Sequence, residues 1–217
     1  MAGEAIGSAG LLIAVVGSGI MGERLAGGNV ALALLANSVA TGAALFVLIL
    51  LLAPISGAHL NPVVSLVERL RGHGSTGDMF VYMGAQLVGA LAGVAMAHAM
   101  FELPVWSLSA RDRGGWAQAL AEAVATCGLV LTILGTRRYT AATVAAAVAC
   151  FIAGAYWFTA STSFANPAVT LARASTATFA GIAPIDVPAF VAAQFLGGAG
   201  GLALWRWLDG DRGSVAS

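Results

Sequence analysis

The dipeptide Asn-Pro occurs twice in this chain, as Asn61-Pro62 and Asn166-Pro167, each inside one of two strings that align without a gap. The strings are Ser56-Gly-Ala-His-Leu-Asn-Pro-Val-Val-Ser-Leu66 and Ser161-Thr-Ser-Phe-Ala-Asn-Pro-Ala-Val-Thr-Leu171, and their asparagines lie 105 residues apart. A carboxamide offers two hydrogen-bond donors and an acceptor without carrying charge. That is the chemistry of recognising an uncharged hydroxyl, not of making or breaking bonds. Asparagine is also among the strongest helix N-caps. A proline at the first helical position loses nothing, because its missing N–H would have had no partner there. Each Asn-Pro therefore predicts the start of a helix, with Ser56 to Leu60 and Ser161 to Ala165 as extended backbone before it.

The surroundings decide what such a device is for. Of 217 residues, 59% are hydrophobic and 9% charged, and the mean hydropathy is +0.88, which belongs to a bilayer rather than to water. Hydrocarbon about 30 Å thick needs roughly 20 helical residues per crossing. Six stretches of that kind are expected near 4–22, 29–53, 77–100, 116–136, 139–160 and 187–208. The Asn-Pro strings fall after the second and the fifth. Each is followed by only about ten helical residues before Gly72-His-Gly-Ser-Thr-Gly77 or Gly181-Ile-Ala-Pro184, too few to span. Irregular backbone at membrane depth is tolerated only where it is buried in protein or faces a watery cavity.

Two further segments repeat. Glu4 to Gly17 resembles Glu122 to Gly135, and Tyr82-Met-Gly-Ala-Gln-Leu-Val-Gly-Ala-Leu-Ala-Gly93 resembles Phe190-Val-Ala-Ala-Gln-Phe-Leu-Gly-Gly-Ala-Gly-Gly201. With the Asn-Pro strings they make three matched pairs in one order, and hence two copies, approximately 1–105 and 114–217, of one repeat within a single domain. The duplicated N-terminal segment carries Glu4 and no Lys or Arg before its apolar run, so a removable secretory leader is a poor reading. Each copy has three spans, an odd number, so the second is inverted relative to the first. The chain has no lysine; cytoplasmic termini would put Arg69, Arg71, Arg137, Arg138, Arg206 and Arg212 inside and Arg24, Arg111, Arg113 and Arg173 outside, a bias of the expected sign. Two half-helices meeting at their N-termini bring positive dipole ends to the midplane, where cations are disfavoured. Beside them the carbonyls of the extended segments form a ladder of acceptors. A small neutral hydroxylic solute suits that arrangement.

On these motifs, Ser-Gly-Ala-His-Leu-Asn-Pro and Phe-Ala-Asn-Pro-Ala-Val-Thr-Leu-Ala-Arg, the chain resembles the aquaporin (major intrinsic protein) superfamily over essentially its whole length. The resemblance implies an all-α membrane protein with six transmembrane helices and two re-entrant half-helices in an inverted 3+3 repeat. It places Asn61, Pro62, Val63, Asn166, Pro167 and Ala168 at the pore midplane and His59 in the cytoplasmic vestibule. By spacing from the asparagines it assigns a selectivity filter to Thr41, Gly154, Ser163 and Val169. The family's filter usually holds an aromatic residue and an arginine, and here Thr41 and Val169 stand in those places. The threonine and valine resemble the aquaglyceroporin branch of bacterial arsenic-resistance operons, whose members pass neutral arsenite and methylated arsenicals. The expectation is a wide, arginine-free filter in a bacterial inner membrane protein that assembles as a homotetramer. A strict water channel and an ion-coupled secondary transporter are the alternatives.

Other residues have plainer readings. Glu4 and Glu122, with Gln86 and Gln194, sit at matching positions of the two copies and are expected to hold the re-entrant loops by accepting and donating hydrogen bonds, in preference to an ion-coupling role. Arg173, seven residues past Asn166, is expected about two turns toward the surface, as an outer-vestibule or headgroup residue. His73 reads as a surface residue and His98 as a packing one. Cys127 and Cys150 read as small buried hydrophobes rather than a metalloid or metal site. Gly89-Ala-Leu-Ala-Gly93 is a small-residue contact motif for helix packing or for oligomerisation. No enzyme motif or cofactor site occurs, and the few, evenly split charges do not suit nucleic acid. The partners expected are the lipid bilayer and small neutral solutes.

Overall fold

The computed structural model describes residues 1–213, with side chains as far as 210. The side chain of Arg212, grouped above with the termini, and the last four residues of the second copy lie outside them. Among the described residues eight α-helices follow in order, with a short 3-10 turn (Pro184–Asp186) before the last: α1 (Ala2–Leu25), α2 (Val30–Ser56), α3 (Pro62–Leu70), α4 (Thr76–Met100), α5 (Trp116–Thr136), α6 (Ala141–Phe158), α7 (Pro167–Arg173) and α8 (Val187–Gly213). No strand occurs among the described residues. Six of the helices are long and apolar enough to cross a membrane, and they fall where the hydropathy places them.

Local signals set the boundaries. Asn29, Ser75 and Thr140 cap α2, α4 and α6 through their side chains, and Ser75 forms a reciprocal capping box with Asp78. Helix α2 runs through Ser56, so the irregular segment begins one residue later than expected, at Gly57, which takes the left-handed conformation that ends the helix. Helix α7 has seven residues rather than about ten. It stops at Arg173 because the chain folds back there, with the Ile182 N–H donating to the Arg173 carbonyl at 3.3 Å.

The two halves pack alike: α1 lies on α4 and α5 on α8, while α2 and α6 face each other across the bundle. Small residues allow the close approaches. A Cβ at Gly89 would fall on the Ala5 carbonyl, and one at Gly197 on the Ala123 carbonyl; at Gly201 it would lie 2.8 Å from the Cys127 carbonyl. The glycines of the Gly89–Gly93 motif are thus buried against α1 within one chain, which is the helix-packing use of the motif. The cysteines also differ from expectation. Cys127 is half-buried and Cys150 is exposed, because Cys150 lies on the outward side of α6. His98 is fully buried, bonded at 2.7 Å to both the Pro104 carbonyl and Thr176 Oγ1, and so ties the loop after α4 to the loop after α7.

Arginines separate to the two ends of the bundle. At one end Arg71 and Arg137 approach Glu68 at 3.1 and 3.8 Å, His73 approaches it at 2.6 Å, and Arg206 donates to the Leu70 carbonyl. At the other, Arg24 meets Phe101 while Arg111, Arg113 and Arg173 gather on residues 179–181.

Candidate functional site

The half-helices α3 and α7 start back to back in the centre of the bundle. Each asparagine caps its own helix: Asn61 Oδ1 accepts from the Val63 N–H at 2.9 Å, and Asn166 Oδ1 accepts from Ala168 at 3.0 Å and Val169 at 3.3 Å. Each also braces the other copy. Asn61 Nδ2 donates to the Ala165 carbonyl and Asn166 Nδ2 to the Leu60 carbonyl, both at 2.7 Å. A carboxamide nitrogen has two hydrogens, so one N–H of each asparagine remains for a solute.

The approach segments are not plainly extended. Ala58, Leu60, Ser163 and Ala165 have φ between 48° and 50°, so left-handed residues recur one and three positions before each asparagine. Non-glycine residues in that region cost about 1–2 kcal/mol each. Buried carboxylates offset the cost. Glu4 accepts from the N–H groups of His59 (3.0 Å) and Leu60 (2.7 Å), and Glu122 from those of Phe164 (2.9 Å) and Ala165 (2.8 Å). Gln86 Nε2 bridges Glu4 to Ser65 Oγ, and Gln194 Nε2 bridges Glu122 to Thr170 Oγ1. Ser65 and Thr170 belong to this network although nothing singled them out in the sequence. A signal was there, a hydroxyl four residues past each asparagine. With their N–H groups turned to the carboxylates, the segments leave the carbonyls of Ala58, His59, Ser163 and Phe164 without a protein donor among the described residues.

A cavity of about 300 Å³ runs past both asparagines, from His59, Glu68 and Arg137 at one end to Thr41, Ser163 and Arg173 at the other. Its wall is two-sided. One side is the polar strip of loop backbone and asparagine. The other is aliphatic and follows the repeat: Leu11 and Val15 of α1 are matched by Leu129 and Ile133 of α5, and Val64 of α3 by Val169 of α7. A polar strip along an apolar tube lets a solute keep a few hydrogen bonds while its apolar surface slides past.

Several residues named from the sequence lie elsewhere. Pro62, Val63, Pro167 and Ala168 are buried but do not line the cavity. Val63 packs with Val67, Val130, Leu134 and Leu202 instead. Gly154 is also off the cavity, where a Cβ would meet only Phe158. The inward row of α6 is Val144, Val148, Ile152 and Tyr156, four residues apart, and position 154 is half a turn from it. Tyr156 takes the inward place, and its hydroxyl donates to Thr41 Oγ1 at 3.2 Å. Thr41, Ser163, Val169 and His59 do line the cavity, and Ser163 Oγ has no partner among the described residues.

Arg173 lines the end of the cavity, as a vestibule residue would, and departs from the headgroup half of its expectation. It is 2% exposed rather than at the surface, donates through Nε to the Ala180 carbonyl, and faces the cavity. Beside it Arg113, in the loop before α5, donates to the carbonyls of Gly181 (2.8 Å) and Ser161 (3.1 Å). Burial, then the neighbouring Arg173 and Arg111, pushes the Arg113 pKa down to about 9, which leaves it cationic at neutral pH.

Comparison with known proteins agrees with this geometry. Residues 1–143 match the family model described as major intrinsic protein. The chain is 54% identical to aquaglyceroporin AqpS of Rhizobium meliloti (strain 1021), over 94% of this chain and 88% of that protein. It is 36% identical to the probable aquaporin TIP1-2 of rice (Oryza sativa subsp. japonica), where the match spans 55% of this chain and 49% of the relative. The fold matches the X-ray structure of the aquaglyceroporin from Plasmodium falciparum with a TM-score of 0.74 at 21% identity, covering 95% of this chain and 93% of that one. With that family model over residues 1–143 and the 54% identity across nearly the whole of a curated relative, the chain belongs to the major intrinsic protein family of membrane channels.

Proposed function

We propose that the chain is a wide-filter aquaglyceroporin that passes glycerol-like polyols and neutral metalloid acids, arsenite and methylated arsenicals among them. The observation that carries this reading is the outer end of the cavity, where Thr41, Ser163 and Val169 line the wall with no residue at position 169 able to cross it. Arsenite is an uncharged trihydroxide at neutral pH, close to glycerol in hydrogen-bonding capacity, and the aliphatic wall suits methyl substituents. The 54% identity to a protein named an aquaglyceroporin supports the solute class. The inner membrane of a bacterium, termini on the cytoplasmic side and a homotetramer with one pore per chain complete the proposal. The cluster of Arg69, Arg71, Arg137 and Arg206 at the end that holds Glu68 supports that orientation. A coupled transporter is disfavoured by the carboxylates: Glu4 and Glu122 are 0% exposed and engaged with loop N–H groups, so neither faces the solute path.

Val169→Arg tests the filter. Stopped-flow light scattering on proteoliposomes is expected to show glycerol and monomethylated arsenical permeation falling by roughly tenfold, with water permeation changed much less. Native vesicles that admit water and exclude glycerol would leave a strict water channel in its place.

A further inference from the structure

Val169 and Arg173 are one helical turn apart on α7 and face the same cavity. The backbone of Arg173 lies toward the outer end, but helical side chains lean toward the N-terminus of their helix, and a long one covers the turn before its own Cα. The contact with Phe164 shows how far this one reaches. The guanidinium carbon of Arg173 is 3.4 Å from the centroid of that ring, which precedes the helix in the chain, and that of Arg113 is 4.8 Å from the same centroid. Arg173 is thus returned to the level of the filter and clamped there, by Ala180 on one side and by the ring on the other.

Beyond its Nε bond to Ala180, the Arg173 guanidinium has donors left over. No carboxylate among the described residues lies within ion-pair distance of Arg173 or Arg113, and no acceptor among them meets the terminal nitrogens of Arg173. Asp186 accepts from the Arg113 backbone N–H, not from its guanidinium. A donor-only guanidinium on the wall of a largely aliphatic cavity fits a neutral polyhydroxy solute. A buried guanidinium with no carboxylate within ion-pair distance acts on a passing cation with little screening.

We propose that Arg173, steadied by Ala180 and Phe164, is the charge barrier and the solute's hydrogen-bond donor in this pore, which restores to a valine-bearing filter the exclusion of cations without narrowing it. The inference rests on the pore reading above and adds a residue to it.

The test is a paired measurement on proteoliposomes, glycerol influx by light scattering and proton and sodium leak by entrapped dyes. Native protein and Arg173→Lys are expected to pass glycerol and stay ion-tight, whereas Arg173→Gln leaks at least roughly tenfold more while still passing glycerol. Arg173→Gln also alters the clamp on Ala180, so Val169→Glu is the second variant. It sets a carboxylate one turn before the intact guanidinium, in the orientation that pairs well along a helix, and is expected to leak as well. Either variant, purified as a monodisperse protein, leaking cations supports the barrier, and it decides alone if the other does not fold. Folded variants as ion-tight as the native protein overturn it. Native vesicles that pass no neutral solute sink the pore reading, and the barrier with it. Native vesicles that pass glycerol beside ion-tight variants sink the barrier alone.

Discussion

Replacing Glu122 by leucine is expected to remove the folded protein altogether. The carboxylate is fully buried and accepts from three donors: the Phe164 N–H, the Ala165 N–H at 2.8 Å, and Gln194 Nε2 at 2.6 Å. Leucine fills a similar space but accepts nothing, so all three donors are stranded in a water-free setting. Each unmet buried group costs about 1–3 kcal/mol, and their sum approaches the whole stability of a typical domain. The loop they hold also contains Ser163 and Ala165 in left-handed backbone, which has no reason to persist once its N–H groups are released. Glu122→Gln keeps one carbonyl oxygen as acceptor and is expected to fold with a lowered midpoint of thermal unfolding. Size-exclusion chromatography and thermal unfolding in detergent check both variants. A monodisperse Glu122→Leu protein with a native unfolding temperature would show that the loop is held by something other than this carboxylate. Glu4 holds four donors, from Ser56, His59, Leu60 and Gln86, so Glu4→Leu is expected to be at least as damaging.

What the sequence makes legible here depends on how local the cause is. The spans follow from hydropathy, and the half-helix starts from the capping chemistry of Asn61 and Asn166. Neither needs knowledge of a neighbour. The repeat adds long-range information, because Glu4 and Glu122 at matching positions imply matching jobs. Spacing fails where a helix has to be phased against the rest of the bundle. Position 154 is the right distance along the chain from Asn166, yet the inward row of α6 is set by packing against α2 and passes through Ile152 and Tyr156. The four-residue recurrence of bulky side chains at 144, 148, 152 and 156 carried that phase, and chain distance alone did not. Arg173 failed its headgroup reading for another reason. Its rise along α7 points it outward, and only the return of residues 176–182, with the Ala180 carbonyl meeting Nε, brings the guanidinium back over Phe164. No property of residue 173 announces where a later loop will fold.

The same distinction between chain pattern and packing explains the valine in the first Asn-Pro box. Val63 is 1% exposed and points away from the cavity, toward α8, where a Cβ on Gly198 would fall on its Cγ1. In the other half the corresponding residues are Ala168 and Ala90, both fully buried in the main core. One half thus pairs a valine with a glycine and the other an alanine with an alanine. The sizes compensate, so the valine is a packing choice and widens nothing in the pore. Gly198→Ala is accordingly expected to destabilise by about 1–3 kcal/mol, because a β-branched side chain fixed in a full core has little room to turn away. Val63→Ala alone leaves a void and costs a similar amount. The double variant, which copies the alanine pair of the other half, is expected to recover most of the loss, with a coupling of about 1 kcal/mol or more in a double-mutant cycle read from unfolding midpoints. Simple additivity of the two losses would mean that α3 and α8 are not in the contact drawn here. Glycerol permeation should be unchanged in any of the three that folds, since neither position borders the path of the solute.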